Sequence, residues 1–434
     1  MAKIMSIFGE SKEVSIVTNG FNRKPVLQIF GLALLSFLTL IAFPQTGIVA
    51  PDKPEATSPS DVIVAGNNQF AWELYRKIQL EPGNNGKNIF LSPYSISTAL
   101  AMTYAGSRGN TAEQMARVLH FTIPQTEFSP AYAAVNARIV KTGSKTYQLN
   151  IANALWGQKS YHFEADFLDL IRKNYEGGFQ TVDYHDPVSA LKTINQWVER
   201  QTNSKIKDLL HLEDVDCLTR LVLTNAIYFK GDWEQPFNPK QTQTAPFTVT
   251  PGQVVNIPMM RQKGKFSYCR VTGAQILELP YAGKDLAMLV ILPDGDINSL
   301  EAGLTAARIR EWRSQLETQK VEVSLPKFKF MTRYYLDQAL PELGMGDAFL
   351  ETEADFSGIT GRKNLYIKHV IHQAMIDVNE QGSEAAAATA VVMDAKSLSF
   401  NPIFQADHPF MFAILHQATG SLLFMGRVTD PSRP

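Results

Sequence analysis

The chain has 434 residues, 45% of them hydrophobic, which is enough apolar material for a large core and excludes a disordered chain. Its 41 basic and 42 acidic residues give a formal charge of −1, so neither the basic patch of a nucleic-acid-binding protein nor an acidic tail is indicated. The two cysteines, Cys217 and Cys269, are too few for a disulfide framework, and the sequence leaves open whether they pair.

The first 50 residues have the pattern of an export segment. Residues 1–24 carry several basic side chains, and residues 26–43 are almost uninterrupted apolar sequence. A basic flank before such a stretch predicts an export signal. The alternative is an uncleaved membrane tether through residues 26–43. About 18 residues lies at the short end of the lengths that can span a membrane. Either way we expect the rest of the chain outside the cytoplasm, extracellular or periplasmic, after a linker at residues 51–61.

Residues 62–434 are expected to form a single domain. Length alone allows two or three domains, but no repeat, Gly/Ser run or charge run marks a boundary within this range. Helix signals crowd its first third. Ser92 followed by Pro93 predicts a helix start, with a hydroxyl at the N-cap and proline at the first helical position. Thr111 with Gln114 fits a capping box ahead of an apolar run.

Strand signals dominate after about residue 215. The apolar runs 221–229 and 286–292 are typical of strands buried on both faces. Residues 321–325 alternate between apolar and polar, and the alternation changes phase at Pro326, which predicts a bulge or a strand end. Residues 366–378 alternate again. Helices early and strands late predict an α+β fold.

Motifs of enzyme and metal sites are missing from the sequence. There is no GxSxG elbow, HExxH, CxxC or Walker loop. His369 and His372 would point to opposite faces of a strand, so they are poor joint metal ligands. His372 lies on the apolar face and Asn225 lies inside an apolar strand, so both are explained as buried side chains that need hydrogen-bond partners. We therefore expect no catalytic residue, no cofactor and no metal.

The most informative segment is the alanine-rich stretch of residues 380–392. An alanine run favours a helix by propensity, but this one follows a strong strand and has Gly382 where that strand would end. A period of two places small or uncharged side chains on one face, namely Ser383, Ala385, Ala387, Thr389 and Val391. The charged Glu384 falls on the other face. Such a segment could be exposed in one state and enter the middle of a sheet in another.

This segment resembles the hinge and reactive loop of the serpins, and other motifs extend the resemblance. Residues 88–96 (NIFLSPYSI) are similar to the serpin motif that opens the helix behind the central sheet. Residues 224–233 (TNAIYFKGDW) are similar to the strand that leads to the breach tryptophan. Further family-like stretches are residues 279–281, 325–328, 343–345 and 404–410. The resemblance implies an α+β serpin fold with a large central β-sheet, further sheets, about eight or nine helices and an exposed reactive-centre loop.

The resemblance also implies a mechanism and a set of site residues. Serpins present the loop as bait; the protease cleaves it, forms an acyl-enzyme, and is trapped as the loop inserts into the central sheet. The hinge positions match Glu380, Gly382, Ser383, Glu384, Ala385, Ala386, Ala387 and Ala388. The shutter positions, under the sheet, match Ser92, Ser95, Asn225 and His372, and the breach position matches Trp233.

The family's spacing of sixteen residues from the hinge glutamate places the reactive bond at Lys396–Ser397. A lysine fits an acidic primary pocket, so the expected partner is a trypsin-like serine protease, held in a covalent acyl complex. The inhibitor itself is expected to be a monomer and an exported, prokaryotic-like member of the family. A slip of one or two residues would instead nominate Ala395 or Met393, and an elastase- or chymotrypsin-like target. The alternative function is a non-inhibitory serpin acting as a binding, carrier or chaperone protein. The small side chains on the inserting face favour the inhibitory function over this alternative. The sequence shows no helix with concentrated basic residues, so it gives no indication of a heparin-like cofactor.

Overall fold

In the residues that the structure describes, most helices precede residue 202 and most strands follow residue 220. The computed structural model describes residues 58–140, 147–175, 178–383 and 401–433, all within one compact unit that spans residues 56–434. The α-helices of this described part are α1 (Pro59–Leu80), α2 (Pro93–Gly106), α3 (Gly109–Val118), α4 (Gln125–Ile139), α5 (Ala165–Asn174), α6 (Pro187–Gln201), α7 (Ile297–Ala302), α8 (Ala306–Ser314) and α9 (Ser357–Thr360). Across the same ranges, no helix has the length and apolar character needed to cross a membrane.

The strands form two sheets. They are β1 (Ile89–Leu91), β2 (Tyr147–Gln158), β3 (Phe179–Val182), β4 (Leu221–Asp232), β5 (Gln243–Thr250), β6 (Gln253–Val271), β7 (Ala274–Pro280), β8 (Leu286–Pro293), β9 (Glu317–Pro326), β10 (Phe328–Tyr335), β11 (Val370–Asn379), β12 (Gly382–Ser383), β13 (Ile403–Gln405), β14 (Phe410–His416) and β15 (Leu422–Val428). One sheet has nine strands, in the order β1-β15-β14-β8-β7-β6-β9-β13, with β5 paired to β6. The other has six, in the order β10-β11-β12-β4-β2-β3.

The starts of the first helices show which capping predictions hold. Ser58 caps α1 together with Asp61, so residues 59–61, expected in the linker, already belong to a helix. Ser92 caps α2 as predicted, with its Oγ accepting from the Ser95 N–H at 3.2 Å. The capping box at Thr111 is wrong, because α3 begins at Gly109 and the Thr111 hydroxyl lies inside it. That hydroxyl accepts from the Asp355 N–H at 2.9 Å instead, so it joins two distant segments.

Helix α2 is the packing centre of the molecule. It contacts β2 and β4 of the six-stranded sheet and β15 of the nine-stranded sheet, and nearly all its residues are buried. A helix that is apolar on all sides is expected in such a position. Its N-terminus therefore lies directly under the six-stranded sheet, where Ser92 and Ser95 contact the strands.

The strand predictions hold with adjusted ends. The phase change at Pro326 is a strand end, since Lys327 separates β9 from β10. The alternating segment 366–378 becomes a strand only at Val370, where the Asp337 carboxylate accepts from the Val370 N–H at 2.7 Å and bonds the His369 ring at 2.6 Å. His369 thus lies before the strand, and its ring is hydrogen-bonded to Asp337. Cys217 is exposed and Cys269 is buried, and both are free thiols.

Candidate functional site

The described part of the hinge, residues 380–383, leaves β11 and turns back into the same sheet. Its last two residues form β12, which runs antiparallel to both neighbours, with Ser383 opposite Val378 of β11 and opposite Gly231 of β4. Below this point β4 and β11 pair directly and in parallel, from Val370 to Met375 on β11. β12 is therefore the beginning of a strand between β4 and β11.

The backbone at Gly382 requires glycine. Its φ is +155°, a conformation that L side chains rarely adopt, and a Cβ atom there would lie 2.0 Å from the carbonyl oxygen of Gly231. The close approach arises because the hinge must pass over the end of β4 before it can pair with it. Any side chain at this position would push β12 out of the sheet.

Glu380 anchors the start of the hinge. Its carboxylate accepts from Lys327 Nζ at 2.8 Å and from Thr242 Oγ1 at 2.9 Å, and its carbonyl oxygen accepts from the Phe237 N–H at 2.7 Å. Burial raises the pKa of this carboxyl, but the hydrogen bonds from Lys327 and Thr242 outweigh burial, and the net pKa lies below the ordinary value. The side chain is thus an anion held by a partly buried ion pair.

Two aromatic residues, Trp233 and Tyr281, hold the rest of the hinge; we call them the breach pair. The Trp233 N–H donates to the Gln381 carbonyl at 2.6 Å, and its indole Nε1 donates to the Asn379 carbonyl at 3.0 Å. The Trp233 ring stacks on Tyr281 with centroids 4.7 Å apart. The Tyr281 hydroxyl bonds the buried Ser383 Oγ at 3.0 Å. A small polar side chain is thus already seated on the core side of the sheet.

A histidine closes the sheet below the hinge. His372 of β11 lies directly opposite Asn225 of β4, and its Nδ1–H donates to the Asn225 Oδ1. The other ring nitrogen accepts from the Ser92 N–H at 3.1 Å, which sets this tautomer. Burial lowers the pKa of His372 to about 3, so the ring is neutral. This side-chain bond links the two strands that a longer β12 would have to separate.

The network around His372, which we call the shutter, contains one residue that sequence reasoning missed. Asn225 Nδ2 donates to Ser95 Oγ at 2.9 Å and to Asn153 Oδ1 at 2.6 Å. Asn153 lies directly opposite Asn225 on β2, and it donates back to the Ser95 carbonyl at 3.0 Å. Ser92 Oγ donates to the Leu423 carbonyl at 2.7 Å. Four strands (β2, β4, β11 and β15) and the start of α2 are thus joined by buried, satisfied polar groups.

The predicted site residues therefore form two clusters on one seam of the sheet. Glu380, Gly382, Ser383 and Trp233 meet at its open end, and Ser92, Ser95, Asn225 and His372 meet beneath its closed part. The contributions of Thr242, Lys327 and Tyr281 were not assigned from sequence, since they reach the hinge only through tertiary contacts. The remaining predicted positions, Glu384, Ala385, Ala386, Ala387, Ala388, Lys396 and Ser397, lie outside the described residues.

The arrangement is a sheet seam that β12 has entered at one end. The sheet is closed in its lower part by a parallel ladder and a histidine bond, and is already entered at its upper end by two residues. Within the described part of the chain, no three His, Cys, Asp or Glu residues are grouped so that they could hold a metal ion. The pairing of the sheet therefore changes along the seam between β4 and β11, from direct contact below to an intervening strand above.

Comparisons with known proteins agree with this geometry. Residues 65–431 match the family model described as Serpin (serine protease inhibitor). The leukocyte elastase inhibitor of Bos taurus is 42% identical over 378 residues, which cover 85% of this chain and 99% of that protein. A serpin-like protein of Thermococcus kodakarensis is 42% identical over 374 residues, covering 85% of this chain and 86% of that protein.

Solved structures give the same result. Uncleaved ovalbumin superposes with a TM-score of 0.77 at 30% identity, covering 85% of this chain and all of that one. Human thyroxine-binding globulin superposes with a TM-score of 0.80 at 31% identity, covering 87% of this chain and all of that one. These matches confirm the predicted α+β serpin fold. The chain therefore belongs to the serpins, a family of serine protease inhibitors and not of enzymes.

Proposed function

We propose that this serpin is a suicide-substrate inhibitor of a serine protease. The observation that carries the proposal is the two-residue strand β12, in which the small side chain of Ser383 is buried between β4 and β11. A loop that starts inside the sheet, and whose next inward positions are alanines, has nothing large or charged to bury as it continues. The family match supports protease inhibition as the activity of the fold.

In the proposed reaction the protease attacks the bond between Lys396 and Ser397. An ester forms between the protease serine and the Lys396 carbonyl, and the amine of Ser397 leaves. The freed strand then extends β12 downward, an established form of β-strand addition in this family. About a dozen residues, each gaining roughly 0.5–1.5 kcal/mol of hydrogen bonding, give a total of order 10 kcal/mol. That is comparable to the stability of a whole domain, so the uncleaved state is held kinetically.

The target preference we propose follows from Lys396, which fits the acidic pocket of trypsin-like proteases. The relatives that carry the name leukocyte elastase inhibitor raise a specific alternative. A shift of the reactive bond to Ala395 or Met393 would suit an elastase- or chymotrypsin-like protease. The position of the cleaved bond therefore decides between the two classes of target.

We further propose that the chain is exported, through residues 1–50. The family match begins at residue 65, and a full-length relative is covered almost completely by the rest of the chain. The basic and apolar sequence before the match is thus additional to the inhibitor domain, which supports a separate targeting role. N-terminal sequencing of the protein recovered from culture medium, periplasm and membrane distinguishes a cleaved signal from a retained tether. Recovery only in the cytoplasm contradicts export.

Incubation with trypsin, and in parallel with elastase and chymotrypsin, tests the inhibitor proposal. We expect an SDS-resistant complex with trypsin and release of a C-terminal fragment that begins at Ser397. Lys396→Ala should abolish the trypsin complex while the urea unfolding midpoint stays unchanged. A fragment that begins elsewhere relocates the reactive bond. Degradation by all three proteases without any complex contradicts inhibition and favours the carrier or binding alternative.

A further inference from the structure

The chain between α6 and β4 packs against the face of the six-stranded sheet that lies opposite the shutter. We call its residues 209–215 the strap. The buried apolar side chains of the strap are Leu209, Leu210 and Val215. They share an apolar cluster with Ala226 of β4 and Ile371 of β11. Ala226 and Ile371 alternate along their strands with Asn225 and His372 of the shutter, so they point to the opposite face. The strap therefore covers the same seam that the shutter closes from the other side.

One side of the strap is tied to the part of the molecule that contains β4. Asn195 of α6 donates from Nδ2 to the Leu210 carbonyl at 2.8 Å, and its Oδ1 accepts from the Leu210 N–H at 2.9 Å. Helix α6 in turn packs on β2, where the Trp197 ring meets Trp156 edge to face with centroids 5.4 Å apart. Because β2 pairs with β4, these bonds fix the strap to the β4 side of the seam.

The other side of the strap is tied to β10 by Arg333. Its Nε donates to the Leu209 carbonyl at 3.0 Å, and its Nη2 donates to the Asp214 carboxylate at 2.7 Å. The Asp214 side chain is only 2% exposed, and it also accepts from the Tyr335 hydroxyl at 2.8 Å. Because β10 pairs with β11, Arg333 and Tyr335 fix the strap to the β11 side of the seam.

A strap that is held on both sides resists the opening of the seam. A strand placed between β4 and β11 moves them apart by about 4.8 Å. Hydrogen bonds and an ion pair that join the two sides cannot keep their lengths through such a displacement. Their loss also leaves the buried Asp214 carboxylate without its cation, which is costly. The ion pair between Lys329 and Asp377 is different, since it joins β10 to β11 on one side of the seam and would move as a unit.

We propose that Arg333 is a positioning residue for strand insertion, because it ties the strap across the seam and must release it before β12 can extend. The proposal rests on the inhibitory function proposed above. In that function the strength of this tie sets how fast the seam opens relative to hydrolysis of the acyl-enzyme. It thereby sets the share of protease molecules that are trapped.

Hydrogen exchange of the intact protein, followed by mass spectrometry without any protease partner, tests the tie directly. We expect Arg333→Gln to speed the exchange of the seam amides, residues 223–228 and 370–375, about tenfold or more. The matched control is Lys329→Gln, which removes a cation and an ion pair from the same face of the same strand. It should leave the exchange of the seam amides unchanged.

A second variant, Asn195→Ala, frees the strap from the opposite side of the seam. It should speed the exchange of the same amides, and it carries the test alone if Arg333→Gln does not fold. The double variant should exchange no faster than the faster single variant, because a strap with one side released no longer spans the seam. Multiplied effects would mean that the two residues act independently.

The outcomes separate the strap from the inhibitory function. Unchanged exchange at the seam in either variant, multiplied effects in the double variant, or equal acceleration in Lys329→Gln overturns the strap. Equal acceleration in β14 and β15 also overturns it, since that pattern shows a general loss of stability. The SDS-resistant complex with trypsin is scored separately. If the complex is absent while the seam amides respond as expected, inhibition fails and the tie across the seam stands.

Discussion

At the scale of single residues, His372 can serve both of its neighbours only when neutral. Its Nδ1–H donates to Asn225 and its Nε2 accepts from the Ser92 N–H. A protonated ring has donors on both nitrogens, so it would lose the bond from Ser92 and carry a charge in a fully buried site. The low pKa of about 3 follows mainly from that burial. The closed sheet thus depends on the protonation state of one imidazole.

This dependence predicts a pH effect on stability. An unfolded histidine has a pKa near 6.5, whereas the folded pKa is about 3, so the unfolded chain binds the proton first as the pH falls. The contribution to the free energy of unfolding is therefore complete above pH 6.5, and it is lost at about 1.4 kcal/mol per pH unit between 6.5 and 3. Urea unfolding of wild type and His372→Gln between pH 7.5 and 5 should show the two curves converging. If the difference between the two free energies of unfolding stays constant over this pH range, His372 is not the buried, neutral histidine with a lowered pKa that we infer.

The shutter also shows how far single residues can be assigned from sequence. Asn225 and His372 stood out because each interrupts an apolar pattern and must find buried partners. Asn153 did not, because β2 mixes polar and apolar residues along its length. The partners of Glu380 are 53 and 138 residues away in the chain, at Lys327 and Thr242. Such distant ion pairs and hydrogen bonds leave no local signal.

At the scale of elements, β12 changes the pairing of its neighbours. β4 and β11 run parallel to each other, and β12 runs antiparallel to both. Each residue added to β12 thus exchanges one parallel contact for two antiparallel ones, which are the slightly more stable kind. Long apolar strands such as β4 and β8 were predictable from sequence, whereas a two-residue strand was not, because only its neighbours make it a strand.

The inward side chain of Ser383 provides a test of this element. Ser383→Arg should turn the inhibitor into a substrate, because an arginine would have to be buried next to Tyr281, at a cost of several kcal/mol. We expect less than about a tenth of the variant to form the SDS-resistant trypsin complex. Ser383→Thr keeps the hydroxyl and is the matched control. An undiminished yield of complex with the arginine variant would mean that residue 383 does not have to stay buried in the sheet during inhibition.

At the scale of the whole molecule, the proposed mechanism makes the intact protein the less stable form. In that mechanism, the contacts of the breach pair, the Glu380 ion pair and the shutter would keep the sheet closed below β12 until the loop is cleaved. Cleavage of the loop by a non-target protease should therefore raise the midpoint of thermal unfolding by at least about 10 °C. Calorimetry before and after cleavage measures this shift. An unchanged midpoint would exclude insertion, and cleaved Ser383→Arg should stay near the value of the intact protein.

The register of β12 also fixes where each later loop residue would arrive. Ser383 lies between Val378 and Gly231, and antiparallel pairing moves two residues back on both neighbours for every two residues forward in the loop. Counting on, Thr389 comes between His372 and Asn225, with its side chain on the same face as theirs.

Insertion to that depth would separate the His372 ring from the Asn225 amide and would offer both of them the Thr389 hydroxyl as a new partner. The threonine hydroxyl can accept from His372 Nδ1–H and donate to Asn225 Oδ1. The direct bond between His372 and Asn225 would then be replaced by two bonds through Thr389, which would stabilise the inserted strand. Thr389→Val, with the same shape and no hydroxyl, should lower the thermal midpoint of the cleaved protein and leave that of the intact protein unchanged. An equal effect on both forms would place Thr389 elsewhere. The register of β12 thus predicts that Thr389 supplies the hydrogen bonds that stabilise the inserted form.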